Sequence, residues 1–156
     1  MTFPTAQGLK ERPSNIATDD SDRPPEPLEQ LHMIARRAHA LVEINSALLR
    51  YAETGPGGSL TAGASIPRYA ELGVMVWRNT RLWMAIVGDV RKEGHSFGAE
   101  GKIRLRGLAK LAATCGQRVL TGKATPQLLI EINLGGLANL QEAFSDLLHW
   151  TATDVP

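Results

Sequence analysis

The chain has 156 residues, of which 43% are hydrophobic and 21% are charged, as is usual for a globular domain with a single core. Because 17 lysines and arginines are balanced by 16 aspartates and glutamates, no overall charge draws the molecule to nucleic acid or to an anionic membrane. Aromatic residues make up only 5%, so the core must come mainly from aliphatic side chains, which favours helices packed on helices.

Residues 1–27 are predicted to form a disordered, proline-rich tail. The segment contains five prolines and few large apolar side chains, so it cannot bury enough surface to offset the entropy of ordering. Its beginning lacks the charged and apolar regions of a secretory signal, and no stretch of the chain reaches the roughly 20 apolar residues of a membrane span. We therefore expect a cytoplasmic protein.

The first predicted helix runs from about Leu28 to Glu53. Apolar residues recur at steps of three and four, which places them on one face of a helix. The glycines and proline at positions 55–58 end this helix, and residues 55–65 are expected to form a flexible connection. The predicted inward face consists of Leu31, Ile34, Ala38, Leu41, Ile44, Leu48 and Ala52.

The second predicted helix begins near Pro67, because proline is tolerated in a first helical turn, and Ser65 is its expected cap. Trp77 and Trp83 are six residues apart and therefore point about 120° away from each other. We predict that Trp83 lies in the core and Trp77 at an edge or in a binding groove, unless the helix is buried on two sides. The apolar stripe contains Tyr69, Leu72, Val76, Trp83, Val87 and Val90, widened by Met75, Leu82 and Ile86.

The third predicted helix spans about Glu100 to Leu120, and Gly122 suits the left-handed position that follows a helix end. Basic residues occur four apart on an outer face, which indicates either an ordinary solvated surface or a docking face for an acidic partner or RNA. Those bases are Lys102, Arg106 and Lys110, whereas the predicted inward residues are Leu105, Leu108, Leu111, Ala112, Cys115 and Val119.

The fourth predicted helix begins at Thr125-Pro126, which matches a cap followed by a first helical residue. Gly135-Gly136 interrupts its apolar pattern and either bends the helix or admits a close neighbour. Residues 151–156 are expected to fray. The inward residues are Leu129, Ile132, Leu137, Leu140, Phe144 and Leu147. Four such helices predict an all-α bundle over residues 28–150.

The sequence offers little basis for catalysis, and we expect neither enzyme activity nor a metal or cofactor. His32 and His39 are seven residues apart on one helix and could share a face, but no third ligand accompanies them. Cys115, the only cysteine, lies in an apolar stripe, where a buried small hydrophobe is expected rather than a nucleophile. The glycines at 94–101 follow a helix and lack the lysine of a phosphate-binding loop.

Two sequence blocks carry a resemblance to a known family. The first, over residues 77–89, contains Asn-x-x-Leu-Trp, here Asn79 to Trp83, followed by Asp89. A helix-length segment and the turn at Gly122-Lys123 then lead to the second block, Leu-Leu-Ile-Glu-Ile-Asn, over residues 128–133. In this order and spacing, residues 70–140 resemble the bacterial flagellar regulator FlaF family.

The resemblance implies a role in flagellin production. Proteins of the FlaF family associate with flagellin before export, as a secretion chaperone would, and an FlbT-like regulator acts in the same process on flagellin messenger. A membrane or nucleic-acid partner is not expected. We predict that a flagellin helix lies in a groove between helices. The candidate partner-binding residues are Trp77, Asn79, Leu82 and Trp83 on helix two, with Ile132 and Asn133 on helix four.

Two alternatives remain open from the sequence. The amides of Asn79 and Asn133 could bond to a partner's backbone, or they could bond helix to helix inside the bundle. The protein could also belong to a different class, a structural protein whose amphipathic helices coat an apolar surface or assemble with one another.

Overall fold

The computed structural model describes residues 26–54, 66–92 and 97–153, and these residues form four α-helices packed as a bundle. The all-α prediction is therefore confirmed, and no strand occurs in these three ranges. Residues 1–25 of the tail predicted over 1–27, the connection at 55–65 and the Ser65 cap lie outside the described residues, whereas Pro27, the last residue of that tail, begins the first helix. The helices are α1 (Pro27–Glu53), α2 (Ile66–Arg91), α3 (Ala99–Leu120) and α4 (Pro126–Thr153).

The helix boundaries follow local signals in the sequence. Pro27 and Pro126 are the first residues of α1 and α4, where the missing N–H has no helical partner to lose. Gly122 follows the end of α3 with a φ of 70°, a left-handed conformation that glycine adopts without strain. At the C-terminus, α4 continues through Thr153, so residues 151–153, which were expected to fray, are helical.

Neighbouring helices run antiparallel. In the first half of α1, Arg37 Nε donates to the carboxylate of Asp89 near the end of α2 at 2.8 Å. The hydroxyl of Tyr69, early in α2, donates to the carbonyl of Leu120 at the end of α3 at 2.9 Å. The short turn at residues 121–125 then returns the chain along α4, which also packs on α1. The bundle is therefore a square in which each helix contacts two neighbours.

The core lies along the centre of this square and is built from aliphatic side chains around one indole. Trp83 is only 2% exposed, as predicted. Leu111, which was predicted to face inward, is 57% exposed. The buried side of α3 centres on Leu105, Ala112 and Val119, and Leu111 lies about 100° around the helix from Ala112. Tyr69, also assigned to an apolar stripe, is exposed.

The glycine pair in α4 admits a close neighbour. α4 is continuous through Gly135 and Gly136. A Cβ added at Gly136 would lie 2.5 Å from Cη2 and 2.8 Å from Cζ2 of Trp83, closer than carbon atoms can pack. At Gly135 the nearest atom would be a methyl of Leu108 at 3.4 Å. Gly136 therefore makes the space in which the indole of α2 reaches α4 across the bundle.

Candidate functional site

The six residues predicted to bind a partner do not share one accessible surface. Trp77 is 62% exposed, as expected for an edge position, whereas four of the others are buried. Of these four, only Trp83 lines the groove described below, and it is 2% exposed, so the role of the four as partner contacts stays a prediction. The buried residues are Asn79, Leu82, Trp83 and Asn133, while Ile132 is half-buried.

The buried asparagines form one hydrogen-bonded cluster at the centre of the bundle. Asn133 Nδ2 donates to Oδ1 of Asn45 and to Oδ1 of Asn79, each at 2.8 Å. The indole Nε1 of Trp83 donates to Asn133 Oδ1 at 2.8 Å. Asn45 Nδ2 in turn donates to the carbonyl of Ile130 at 3.4 Å. Helix-to-helix bonding, the alternative left open by the sequence, is thus the arrangement observed.

The cluster fixes how three helices align. A buried amide that loses its partners costs about 1–3 kcal/mol, so sliding α1, α2 or α4 past one another would break bonds that water cannot replace. Asn79 Nδ2 is buried and has no hydrogen-bond partner among the described residues. Sequence reasoning did not find Asn45, because one asparagine in an amphipathic helix has no periodic signature.

A groove of about 670 Å³ lies between α2 and α3. It exists because small side chains face each other where the helices would otherwise touch. Ala109 and Ala113 are one turn apart on α3, and a Cβ at Gly88 on α2 would meet nothing within 4 Å. The lining is completed by Thr80, Trp83, Met84, Val87 and Arg91 of α2, and by Arg106 and Lys110 of α3.

An exposed apolar strip continues the α2 wall of the groove. Val74, Trp77 and Met84 are all exposed, and Met84 also lines the groove. Trp77 and Met84 are seven residues apart, or two helical turns, so they lie on the same side of α2. The guanidinium of Arg81 lies 5.7 Å from the centre of a Trp77 ring, within the range of a cation–π interaction.

Bases border the groove. Arg91, Arg106 and Lys110 are exposed and form no ion pair with any described residue. The sequence had indicated the basic face of α3 as a possible docking surface, but Met84, Gly88, Ala109 and Ala113 were missed as lining residues. The spacing of the two alanines beside that basic face is the signal that could have revealed them.

The described residues contain no cluster of three or more histidine, cysteine or acidic side chains that could hold a metal ion. Cys115 is free and buried in α3, as predicted. Burial raises the pKa of its thiol, and the charge of Arg118 opposes that rise more weakly. None of the helices in the described ranges is long and apolar enough to cross a membrane.

The fold and the groove together define a class of protein: a four-helix bundle with an open, apolar and base-lined groove along one edge. Comparison of the chain with protein-family models, with curated proteins and with solved structures finds no match in any of the three.

Proposed function

We propose that this protein is a flagellin-binding regulator that holds an amphipathic flagellin helix in the cytoplasm before export. The observation that carries the proposal is the groove between α2 and α3, with the exposed strip of Trp77 and Met84 beside it. From Thr80 to Arg91 the groove follows α2 for about 16 Å, or about three helical turns. A surface of this kind suits the apolar face of one helix.

Support for flagellin as the partner comes from the two sequence blocks that resemble the FlaF family. In the folded chain, Asn133 of the second block forms hydrogen bonds with Asn79 and Trp83 of the first block. In this proposal these bonds hold α2, and with it one wall of the groove, in place within the bundle. Trp77, at the start of the first block, is the predicted residue that is available to a partner. An FlbT-like regulator is a second proposed partner, on the resemblance alone.

The proposed mechanism is protection of an apolar helix face. Each leucine-sized side chain removed from water stabilises a complex by about 1.5–3 kcal/mol, and association and side-chain ordering oppose that gain. A three-turn groove buries few such side chains, which suits a complex that forms before export and then releases its cargo. While bound, the flagellin helix could not pack against another flagellin.

The test is binding of the full chain to monomeric flagellin from the same organism, measured by co-elution and by titration calorimetry. We expect a complex, and we expect Trp77→Ala to weaken it about tenfold or more, as loss of an exposed aromatic anchor does. Trp150→Ala is the matched control, because Trp150 is an exposed tryptophan on α4, away from the groove. Absence of a complex with every flagellin of the organism would contradict the proposal.

The second candidate is a structural protein that coats an apolar surface or assembles with itself. The observation in its favour is a set of exposed aliphatic side chains outside the groove, including Val42 and Leu49 on α1 and Leu134 on α4. Against it, the main apolar face of every helix is already used in the core. Sedimentation velocity separates the two proposals, since only the second predicts large assemblies of the purified chain.

A further inference from the structure

We infer that the groove between α2 and α3 selects an amphipathic helix whose apolar face is flanked by aspartate or glutamate, and discriminates against one flanked by lysine or arginine. The inference rests on the proposed function and deepens it, because it assigns a charge pattern to the partner helix.

Charge is divided unequally between the two halves of the bundle. α2 and α3 carry nine bases and three acids, whereas α1 and α4 carry three bases and six acids. Two of the three acids on the basic half are already paired: Asp89 with Arg37 at 2.8 Å, and Glu100 with Arg104 at 2.9 Å. A chain whose formal net charge is only +1 therefore presents a basic side along α2 and α3.

The groove lies on this basic side, and none of the described residues that line it is acidic. Arg91, Arg106 and Lys110 line it, and none of them is held by an ion pair with a described residue. Acidic side chains beside the apolar face of a bound helix would meet these cations, whereas basic side chains would meet like charge. Complementary charge of this kind decides which partner binds and how fast it does so.

The floor of the groove favours a helix over RNA. Met84, Val87, Ala109 and Ala113 offer aliphatic surface, and the ring of Trp83 is almost wholly covered. Proteins that bind single-stranded RNA stack successive bases on several exposed aromatic rings, whereas the described part of the groove and its apolar strip offers one exposed ring, that of Trp77. The two alanines leave a depression one turn long between α3 and α2, into which the ridge of a third helix can fit.

The experiment uses the full chain and three synthetic helical peptides with one apolar face and with glutamate, glutamine or lysine at the flanking positions. Fluorescence anisotropy gives the affinity of each peptide at about 50 mM and at about 300 mM salt. Two concentrations are compared because charges are screened over a shorter distance at the higher one. We expect the glutamate peptide to bind about tenfold or more tightly than the lysine peptide, and we expect salt to reduce that difference.

Two groove variants, each with a matched control elsewhere, test whether this preference belongs to the groove. Arg106→Glu with Lys110→Glu should reverse the order of the peptides, whereas Arg36→Glu with Arg50→Glu makes the same charge change on α1 and should preserve it. Ala113→Trp should abolish binding by filling the groove, whereas Ala138→Trp, at an exposed site on α4, should not. Circular dichroism melting verifies that each variant is folded.

Equal binding of the three peptides would overturn the inference, as would a preference unchanged by Arg106→Glu with Lys110→Glu. Preferential binding of a single-stranded RNA oligonucleotide at Ala113 and Lys110 would overturn it in favour of RNA. The proposed function is judged separately. If flagellin binds but no groove variant changes its affinity, the charge preference of the groove is wrong and flagellin binding stands. If the glutamate peptide binds but no flagellin does, flagellin is wrong as the partner and the charge preference stands.

Discussion

On its inner side, α2 places the Trp83 indole against Gly136 of α4 with no spare room, and on its outer side a groove of about 670 Å³ opens between its second half and α3. Two glycines show the contrast. Gly136 admits the Trp83 indole so closely that a single methyl group would collide with it, whereas the Cβ position of Gly88 is empty to 4 Å. Glycine thus permits close packing at Gly136 and leaves open space at Gly88.

The contrast separates a side of α2 that fixes the helix alignment from a side that can adapt to a ligand. The inner side carries directional bonds among Asn45, Asn79, Asn133 and Trp83, which tolerate one alignment of the helices. The outer side carries aliphatic and small side chains with long bases at the rim, which adapt to a ligand of suitable shape. We therefore expect the largest losses of stability from mutations on the inner side and the largest losses of binding from mutations in the groove.

The largest effect is expected at the centre of the polar cluster. Asn133→Ala leaves Asn45, Asn79 and the Trp83 indole each without the partner that Asn133 provides. We expect the free energy of unfolding to fall by about 3 kcal/mol or more, because each buried group left unpaired costs about 1–3 kcal/mol. Urea denaturation followed by circular dichroism measures the change.

Asn79→Ala is the matched comparison, since Asn79 is equally buried but accepts one bond and its Nδ2 is unpaired. It should cost clearly less than Asn133→Ala. Equal costs for the two variants would show that lost volume, rather than hydrogen bonding, dominates at this centre.

The second effect tests the close approach of the Trp83 indole to α4. Gly136→Ala forces a methyl group into the Trp83 ring, and that ring cannot move away without losing its bond to Asn133. Overpacking of this kind costs about 1–3 kcal/mol, part of which the better helix propensity of alanine offsets. Thermal melting of Gly136→Ala beside Gly135→Ala measures it.

Gly135→Ala meets only the methyl groups of Leu108 at 3.4 and 3.6 Å, so it should leave stability unchanged or raise it by up to about 1 kcal/mol. Similar melting temperatures for the two variants would contradict the structural distinction between adjacent glycines.

At the groove, the same glycine-to-alanine change should raise the free energy of unfolding. Gly88→Ala places its methyl group in open space within a helix, so we expect a gain of about 0.5–1 kcal/mol in the free energy of unfolding. Gly116→Ala is the control, because its Cβ would lie 2.9 Å from a methyl carbon of Val76 at the α2–α3 contact. A loss of stability in Gly88→Ala would mean that the groove closes there.

The smallest effect concerns Cys115, which packs in the core from α3. Burial raises the pKa of its thiol above the ordinary value of 9.0. Because the thiolate is the form that reacts, alkylation by iodoacetamide below pH 9.0 should be slower in the folded protein than in urea. The unfolded chain releases the thiol proton at lower pH than the native chain, so stability should fall as pH rises past 9.0. Cys115→Ala should lack this component of the pH dependence.

The sequence alone determined the helical elements and much of the core. The recurrence of apolar residues, the prolines at helix starts and Gly122 are local signals, and local signals suffice because a helix closes its own hydrogen bonds over four residues. Helical geometry also separated Trp77 from Trp83 by about 120°, and the packing then exposed Trp77 and buried Trp83.

The contacts between side chains of different helices follow from the tertiary structure alone. Asn133 bonds to Asn45 across a sequence separation of 88 residues, and no periodic pattern encodes such a pairing. Nor could composition tell a glycine that admits a neighbour, Gly136, from one that borders an open groove, Gly88. That distinction depends on the size of the side chain opposite, and the side chain opposite is set by how the helices pack.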